Sequence, residues 1–402
     1  MLRKLNTILQ KSITSLSSSS STSSLVSILS KIQLHSYVTF RYAPPLTETT
    51  LHAMAKDNIQ HGIVFSQYPH FSCTTTGSSL NHLWRETIRL GYENRFTWSI
   101  IDRWPTHPIF VSAVARCIAI GLQRFPEAVR DKVIIVFSAH SVPMLVVNRG
   151  DPYVTEIAST VSAVMDVLRK GKATLPSKPS LTNPPTDPSV GITSTTPVDM
   201  DDGTQGIPVP PVHASHILAW QSKVGFLPWM GPPTSEVIKG LGKQGHKYIL
   251  MVPIAFTSDH IETLFEIDIE YRHEAQQAGI LQFERAPSLN SEETITTAQA
   301  QIVAEHIGLL STNTSKDTSA YLSVSSTPAY KLNCPGCTNP ACRTILNSYQ
   351  DYTKLRDNIA SDDGIVKNTT ENKKEGCKTI PGSPWPTEKE IKRLKNLPIA
   401  SP

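Results

Sequence analysis

Residues 248–271 constrain the fold more than any other stretch. The run from Tyr248 to Phe256 is long enough and apolar enough for a strand buried on both faces of a parallel sheet. It stops at Thr257-Ser258-Asp259-His260, where polar, helix-starting residues take over. The helix expected next carries Asp259, Glu262, Glu266 and Glu270 at i, i+3, i+7 and i+11, which would set four carboxylates along one face. Sites in open α/β sheets form beyond the carboxyl ends of the strands, so a carboxylate row there suits a track for a cation or for protons. A solvated helix face with Asp259 at its start is the plainer reading.

Two further segments bear on that choice. Lys132–Phe137 is a second apolar run, followed by Ser138-Ala139-His140-Ser141, and Gly62–Phe65 is a third, followed by Ser66-Gln67-Tyr68-Pro69. The ends VFSQYP, VFSAHS and AFTSDH share one grammar: a strand, a Phe, a small hydroxyl residue, then a group able to protonate or coordinate. Three such ends predict a sheet whose strand tips converge on one cleft. Between them, helical periodicity is expected over Thr47–Asp57, Leu80–Leu90, Pro108–Arg124, Thr155–Arg169, Glu236–Leu241 and Glu293–Leu310. Strands are expected at Phe40–Ala43, Trp98–Asp102, from His216 and over Ile280–Arg285. Alternating strands and helices mark a doubly wound α/β protein. Gly240-Leu241-Gly242-Lys243-Gln244-Gly245 matches a dinucleotide fingerprint in spacing, but it ends a helix and precedes a strand, the reverse of what that motif needs.

The 402 residues suffice for two domains, and net charge is +4. Arg3, Lys4, Lys11 and Lys31 account for all of it, so the body is near neutral and nucleic-acid binding is not expected. Residues 1–36 are basic, Ser-rich and acid-free, the composition of a mitochondrial transit peptide. No apolar run approaches the roughly 18–20 residues of a membrane-spanning helix, so any membrane association would be peripheral. Residues 170–215, dense in Pro, Thr and Ser, read as a disordered insertion. Cys334, Cys337 and Cys342 form a C-x2-C-x4-C cluster suited to a soft metal. Cys73, Cys117 and Cys377 are the other thiols; Cys73, in a polar loop, is the best placed as a fourth ligand, and zinc and an iron–sulfur cluster are equally compatible. Cys117, inside an apolar helix, reads as a small buried residue.

The blocks SCTTTGSSLN (72–81), DRWPTH (102–107), SAHSVPMLVVNRGDPY (138–153), AWQSKVGFLPWMGP (219–232) and FTSDHIETLFEIDIEY (256–271) together resemble the ferrochelatases, over about residues 38–345 apart from the insertion. The resemblance implies two Rossmann-like chelatase lobes, with parallel sheets flanked by helices, around a porphyrin cleft. It divides the chain into a leader (1–36), a partial first lobe (37–130), a second lobe (131–311), a cysteine-bearing extension (312–345) and a polar tail (346–402). It implies insertion of Fe2+ into protoporphyrin IX, with His140, Glu262 and His107 catalytic. Asp259, His260 and Glu266 would lie on the iron path, and Arg41, Tyr68, Tyr153 and Trp229 on the porphyrin. It assigns Cys73, Cys334, Cys337 and Cys342 to a [2Fe–2S] cluster, and implies a homodimer on the matrix face of the mitochondrial inner membrane. The family's first lobe normally begins well upstream of FRYAPPL, so the first lobe is expected to be incomplete. A shortened, non-catalytic relative that binds porphyrin or a cluster, and a chelatase for another tetrapyrrole, are the competing expectations.

Overall fold

In the computed structural model, residues 33–171, 214–306, 334–339 and 342–346 are described, with short pieces at 3, 6–7, 174–175, 207–208 and 212. The expected leader, the insertion, Cys377 and the tail lie largely or wholly outside them.

The central sheet has four parallel strands in the order β6-β3-β7-β8. These are β3 (Ile134–His140), β6 (His216–Gln221), β7 (Tyr248–Pro253) and β8 (Gln282–Arg285). Successive side chains point to opposite faces, and both faces are covered. Ile135, Phe137, Ala139, Leu250 and Val252 pack with helices α3 (Pro108–Gln123), α5 (Tyr153–Arg169) and α9 (Glu293–His306). Ile134, Val136, Ile249 and Met251 pack on the other side with α6 (Thr234–Lys243) and α8 (Arg272–Gln277). This explains why β3 and β7 read as continuous apolar runs rather than as alternation. The chain steps from β3 out to β6, then returns past β3 to lay down β7 on its far side. Strand order therefore reverses between β3 and β7, the position where open α/β sheets bind ligands.

A second sheet pairs β1 (His61–Phe65) and β2 (Thr97–Ile101) in parallel. Its core is Leu51 and Met54 of α1 (Thr47–Lys56), Leu80, Leu83 and Trp84 of α2 (Ser78–Arg89), with Trp98 and Ile100. Ile345, from the cysteine-bearing extension, plugs the same core. Helix α9 runs from one sheet to the other: Arg116 donates to Thr294 at 3.0 Å, Gln299 to Gln67 at 2.8 Å, and His306 meets Ser99 at 3.1 Å. A two-residue antiparallel pair, β4 (Thr174–Leu175) with β5 (Ile207–Pro208), brings together the two ends of the insertion.

Parallel sheets flanked by helices agree with the expected class. Three details differ. The VFSQYP tip belongs to the two-stranded sheet and the VFSAHS and AFTSDH tips to the other, so the three tips do not share one sheet. Phe40–Ala43 forms no strand; Phe40 makes a single bridge to Leu46, and its N–H donates to Pro45. The acidic helix is broken into α7 (Ile261–Leu264), a π-helical segment Glu266–Tyr271 and α8. A π turn is wider than an α turn, so the row of carboxylates does not stay on one face. The glycine-rich motif does end a helix, with Gly245 turning the chain at φ +86.

Candidate active site

His140 is the last residue of β3, and Glu262 lies in the first turn of α7, the helix that follows the neighbouring strand β7. The switch in strand order thus sets the two side chains facing each other, with His140 Nε2 3.4 Å from Glu262 Oε1. His140 Nδ1 lies 2.6 Å from the Ser141 carbonyl, which can only accept, so Nδ1 carries the hydrogen. When neutral, the ring turns its Nε2 lone pair toward Glu262; once protonated, Nε2–H donates to that carboxylate. Burial pulls the His140 pKa down, but the Glu262 and Ser141 bonds and the charges of Glu262 and Glu266 outweigh it, leaving a net rise. Glu262 moves the opposite way, held down mainly by its bond to His140 against the effect of burial. Both side chains stay about a third exposed, at 35% and 30%, so the pair is open to a ligand.

The other carboxylates of the row are differently engaged. Asp259 accepts from Arg285 (2.9 Å), Ser288 (2.7 Å), Asn290 (2.9 Å) and Thr263 (3.2 Å). Glu266 accepts from Gln221 Nε2 (3.0 Å), Ser222 N (2.9 Å), Ser222 Oγ (2.5 Å) and Tyr271 Oη (2.7 Å). A carboxylate offers about four lone-pair sites, two on each oxygen: Glu266 has both oxygens filled, while three donors to Asp259 fall on Oδ1 and only Asn290 reaches Oδ2. Glu262 meets His140 and, at 4.0 Å, His260. Glu270 is exposed. His260, not Asp259, is the residue that starts the helix: its Nδ1 accepts the Glu262 N–H at 3.1 Å, while Thr263 Oγ1 accepts the His260 N–H at 3.0 Å. That bond leaves the hydrogen of neutral His260 on Nε2. The ring packs edge-on against Phe256, with centroids 4.4 Å apart.

Around the pair, Trp229 lies with its ring centroid 6.4 Å from that of His140. Tyr153, at the head of α5, is buried; that burial first, then the charges of Glu262 and Asp151, push its hydroxyl pKa up. Arg41 donates to Ser78 Oγ and stacks over Tyr42, and Tyr68 is exposed beyond β1. His107 pairs across to Glu305 of α9 at 3.4 Å; its described bonds do not run to the His140–Glu262 pair. Sequence reasoning missed Gln221, Ser222, Arg285 and Tyr271. Gln221 follows the apolar run ILAW, the same strand-tip grammar that singled out His140.

Cys73, Cys334, Cys337 and Cys342 lie in one neighbourhood of the fold. Cys73 opens a π-helical turn, and its N–H donates to Asp151 Oδ2 at 2.7 Å. Cys334 and Cys337 close a turn docked on residues 149–150, with Gly336 N donating to the Arg149 carbonyl at 2.9 Å. Burial first, then Asp151, then Cys334 and Cys337 push the Cys73 thiol up to about 12. Cys342 accepts from Arg343 at 2.8 Å. The four are free thiols. They are close enough to act on one another electrostatically and their soft donor chemistry suits an iron–sulfur cluster. Among the described residues, however, no three Cys, His, Asp or Glu side chains are gathered as a ligand set. Cys117 is buried, as expected.

The ferrochelatase family model matches residues 8–307. The chain belongs to the ferrochelatase family. Relatives named "Ferrochelatase, mitochondrial" include those of Bos taurus (40% identical, 79% of this chain and 65% of the relative), Schizosaccharomyces pombe (41%, 79% and 62%) and Homo sapiens (41%, 76% and 60%). The chain thus spans just under two-thirds of the length of these relatives. A solved structure of SirB from Bacillus subtilis with Fe3+ aligns at TM-score 0.42 and 15% identity, covering 68% of this chain and 82% of that one.

Proposed function

We propose that this ferrochelatase inserts Fe2+ into protoporphyrin IX to give protohaem, in the mitochondrion. The observation that carries the reading is the His140–Glu262 pair, 3.4 Å apart at the switch point of the sheet. Insertion exchanges two pyrrole N–H protons for one Fe2+. Each N–H bond breaks heterolytically, iron–nitrogen bonds form, and no electron changes hands. His140 Nε2 accepts the two pyrrole protons in turn, Glu262 stabilising the imidazolium each time, and the partly exposed pair passes each proton on to solvent. The exposed carboxylate oxygen of Glu262 and the nearby His260 ring form the metal's approach, with Asp259 and Glu266 as its anchored flanks. His107, paired with Glu305, stands as a second titratable site for metal delivery. Trp229 and Tyr68 supply flat surface for the macrocycle and Arg41 a cation for a propionate, while Tyr153, buried against His70 and Trp220, backs the site from the core.

The finer readings follow from the same geometry. Exposed apolar side chains gather on the segments just beyond β3, β6 and β7: Leu145, Val224, Phe226, Leu227, Ile261 and Phe265. Such a rim suits peripheral docking on the matrix face of the inner membrane, from which an apolar porphyrin arrives. Cys73, Cys334, Cys337 and Cys342 would hold a [2Fe–2S] cluster through their thiolates, the donor type such a cluster takes. A homodimer is part of the same reading.

The test of the function is anaerobic insertion of Fe2+ or Zn2+ into protoporphyrin by the purified chain. His140→Ala should abolish it while leaving the far-ultraviolet circular dichroism unchanged; near-wild-type turnover would remove His140 from the mechanism. For the cluster, anaerobically purified protein should show visible charge-transfer bands that Cys73→Ser removes. A colourless protein with stoichiometric zinc would contradict that assignment.

A further inference from the structure

We infer that Gln221 is a positioning residue that sets how His140 and Glu262 face each other. It is 1% exposed and ends β6, where its backbone is in register with His140 on β3. Its carbonyl accepts the Ser141 N–H at 2.8 Å, and the Ser141 carbonyl in turn accepts His140 Nδ1–H at 2.6 Å. The backbone of Gln221 therefore fixes the residue that fixes the imidazole.

Its side chain reaches the other partner. Both hydrogens of Nε2 are used, one on the Glu262 carbonyl at 3.0 Å and one on Glu266 Oε2 at 3.0 Å. Oε1 accepts from Ser138 Oγ at 2.6 Å, and that hydroxyl accepts from Thr234 Oγ1 at 2.9 Å. With two acceptors on one side and a hydroxyl donor on the other, the amide has one satisfactory orientation. Gln221 is thus the single side chain described here that bonds the backbone of Glu262 from the strand beside His140. Removing the amide leaves the part-buried Glu262 carbonyl and one Glu266 oxygen short of a donor and frees α7 to shift. Displacements of about 1 Å at reacting groups cost on the order of 10²-fold in rate.

The inference rests on the ferrochelatase reading for its kinetics but not for its geometry, so the experiment reads both. The full chain is prepared as wild type, Gln221→Met, which keeps the volume and loses the amide, and Ser138→Ala, which leaves the amide in place but unanchored. Crystal structures report the His140–Glu262 separation, and steady-state insertion reports kcat and KM. In Gln221→Met the pair should part beyond hydrogen-bond reach, kcat should fall by about 10²-fold and KM for the porphyrin should stay within about twofold. Ser138→Ala should move both readouts the same way by less, and it decides the matter if Gln221→Met does not fold. An unchanged separation with unchanged kcat in the folded variant overturns the inference. Absence of insertion by wild type counts against the function instead, and the separation alone then judges Gln221.

Discussion

Arg285→Met tests whether the loop beneath Glu262 is held by charge. Arg285 ends β8 and joins two carboxylates: Nε and Nη2 each lie 2.9 Å from Asp268, and Nη1 lies 2.9 Å from Asp259. Methionine keeps the aliphatic stem and removes these three bonds and a longer one to Ser288 at 3.3 Å. At 2.9 Å, Coulomb's law gives about 6 kcal/mol per pair for an effective dielectric of 20 and about 1.4 kcal/mol for bulk water. The Arg285 side chain is 13% exposed and its partners 25% and 27%. A cavity of about 630 Å³ opens beside them, lined by Arg124, Asp268, Arg272 and Arg285 among others, so water screens the group. The cost should fall between that of exposed pairs and of fully buried ones, about 2–3 kcal/mol. For a domain of this size that corresponds to a fall in Tm of about 5–10 °C at pH 7.

The pH dependence adds a second check. Burial raises the Asp259 pKa, but bonds from Asn290, Ser288 and Thr263 and the charge of Arg285 outweigh it, for a net fall. A carboxylate depressed in the folded state stabilises above its unfolded pKa, and that stabilisation is lost as pH drops through the folded value. The gap in Tm between wild type and Arg285→Met should therefore narrow as the buffer is taken from about pH 7 to about pH 3. Differential scanning calorimetry reads both effects. A variant melting within about 1 °C of wild type at pH 7 would show that the Asp259 loop is held by packing and neutral bonds alone.

Glu262→Gln should lower the His140 pKa, since the carboxylate is what overcomes the effect of burial; an NMR titration of the ring that stays where it is in wild type would refute this. Because that pKa is raised in the folded chain, its stabilisation is full below the ordinary imidazole value and fades as pH rises through the folded one, so melts of the two proteins should differ most in acid. His70, fully buried against Thr160 and with its pKa driven down to about 3 by burial, should cost stability at about 1.4 kcal/mol per pH unit as pH falls from 6.5. Urea unfolding of His70→Gln should show a shallower acid loss, and an identical slope would exclude the assignment. Gly242→Ala places a Cβ 2.2 Å from the Ala278 carbonyl oxygen, a backbone atom that cannot swing aside, and should destabilise by about 1–3 kcal/mol in the same assay; no loss would mean that α6 can slide.

The strands were legible because burial on both faces leaves an unbroken apolar run, as in Ile134–Phe137 and Tyr248–Val252. His140 was legible as the polar group ending such a run, though the strand extends through Ser138 and Ala139 to include it. The course of the acidic segment was not. Its spacing assumes 3.6 residues per turn, and the chain widens into a π segment at Glu266–Tyr271. There Ile267 and Tyr271 are buried in the core shared with α6, and Asp268 is held by Arg285. Those partners lie far along the chain, so nothing local signals the change of pitch. Most donors to Asp259 and Glu266, among them Ser288, Asn290 and Gln221, are similarly distant. Residues that look alike in a periodicity argument differ in what the rest of the fold offers them.

That difference bears on how a metal could be passed on rather than trapped. Four free carboxylates on one face would hold a divalent cation firmly, and a delivery path must release what it binds. Here two of the four are occupied by protein donors and Glu270 faces solvent. A cation on the proposed route therefore meets its freest carboxylate at Glu262, since Glu266 is filled and Asp259 keeps only Oδ2 in part open. That group is already shared with His140. A ligand shared in this way binds less tightly when the imidazole is protonated and more tightly when it is neutral. Arrival of the metal and readiness of the base thus depend on the same proton. On this reading, saturation of Glu266 and the pairing of Asp259 with Arg285 are what let the site be acidic without being a sink. A direct check is calcium or zinc titration of Glu266→Gln, which should leave affinity at the cleft unchanged, against Glu262→Gln, which should weaken it. The reverse ranking would return Glu266 to the role of a ligand.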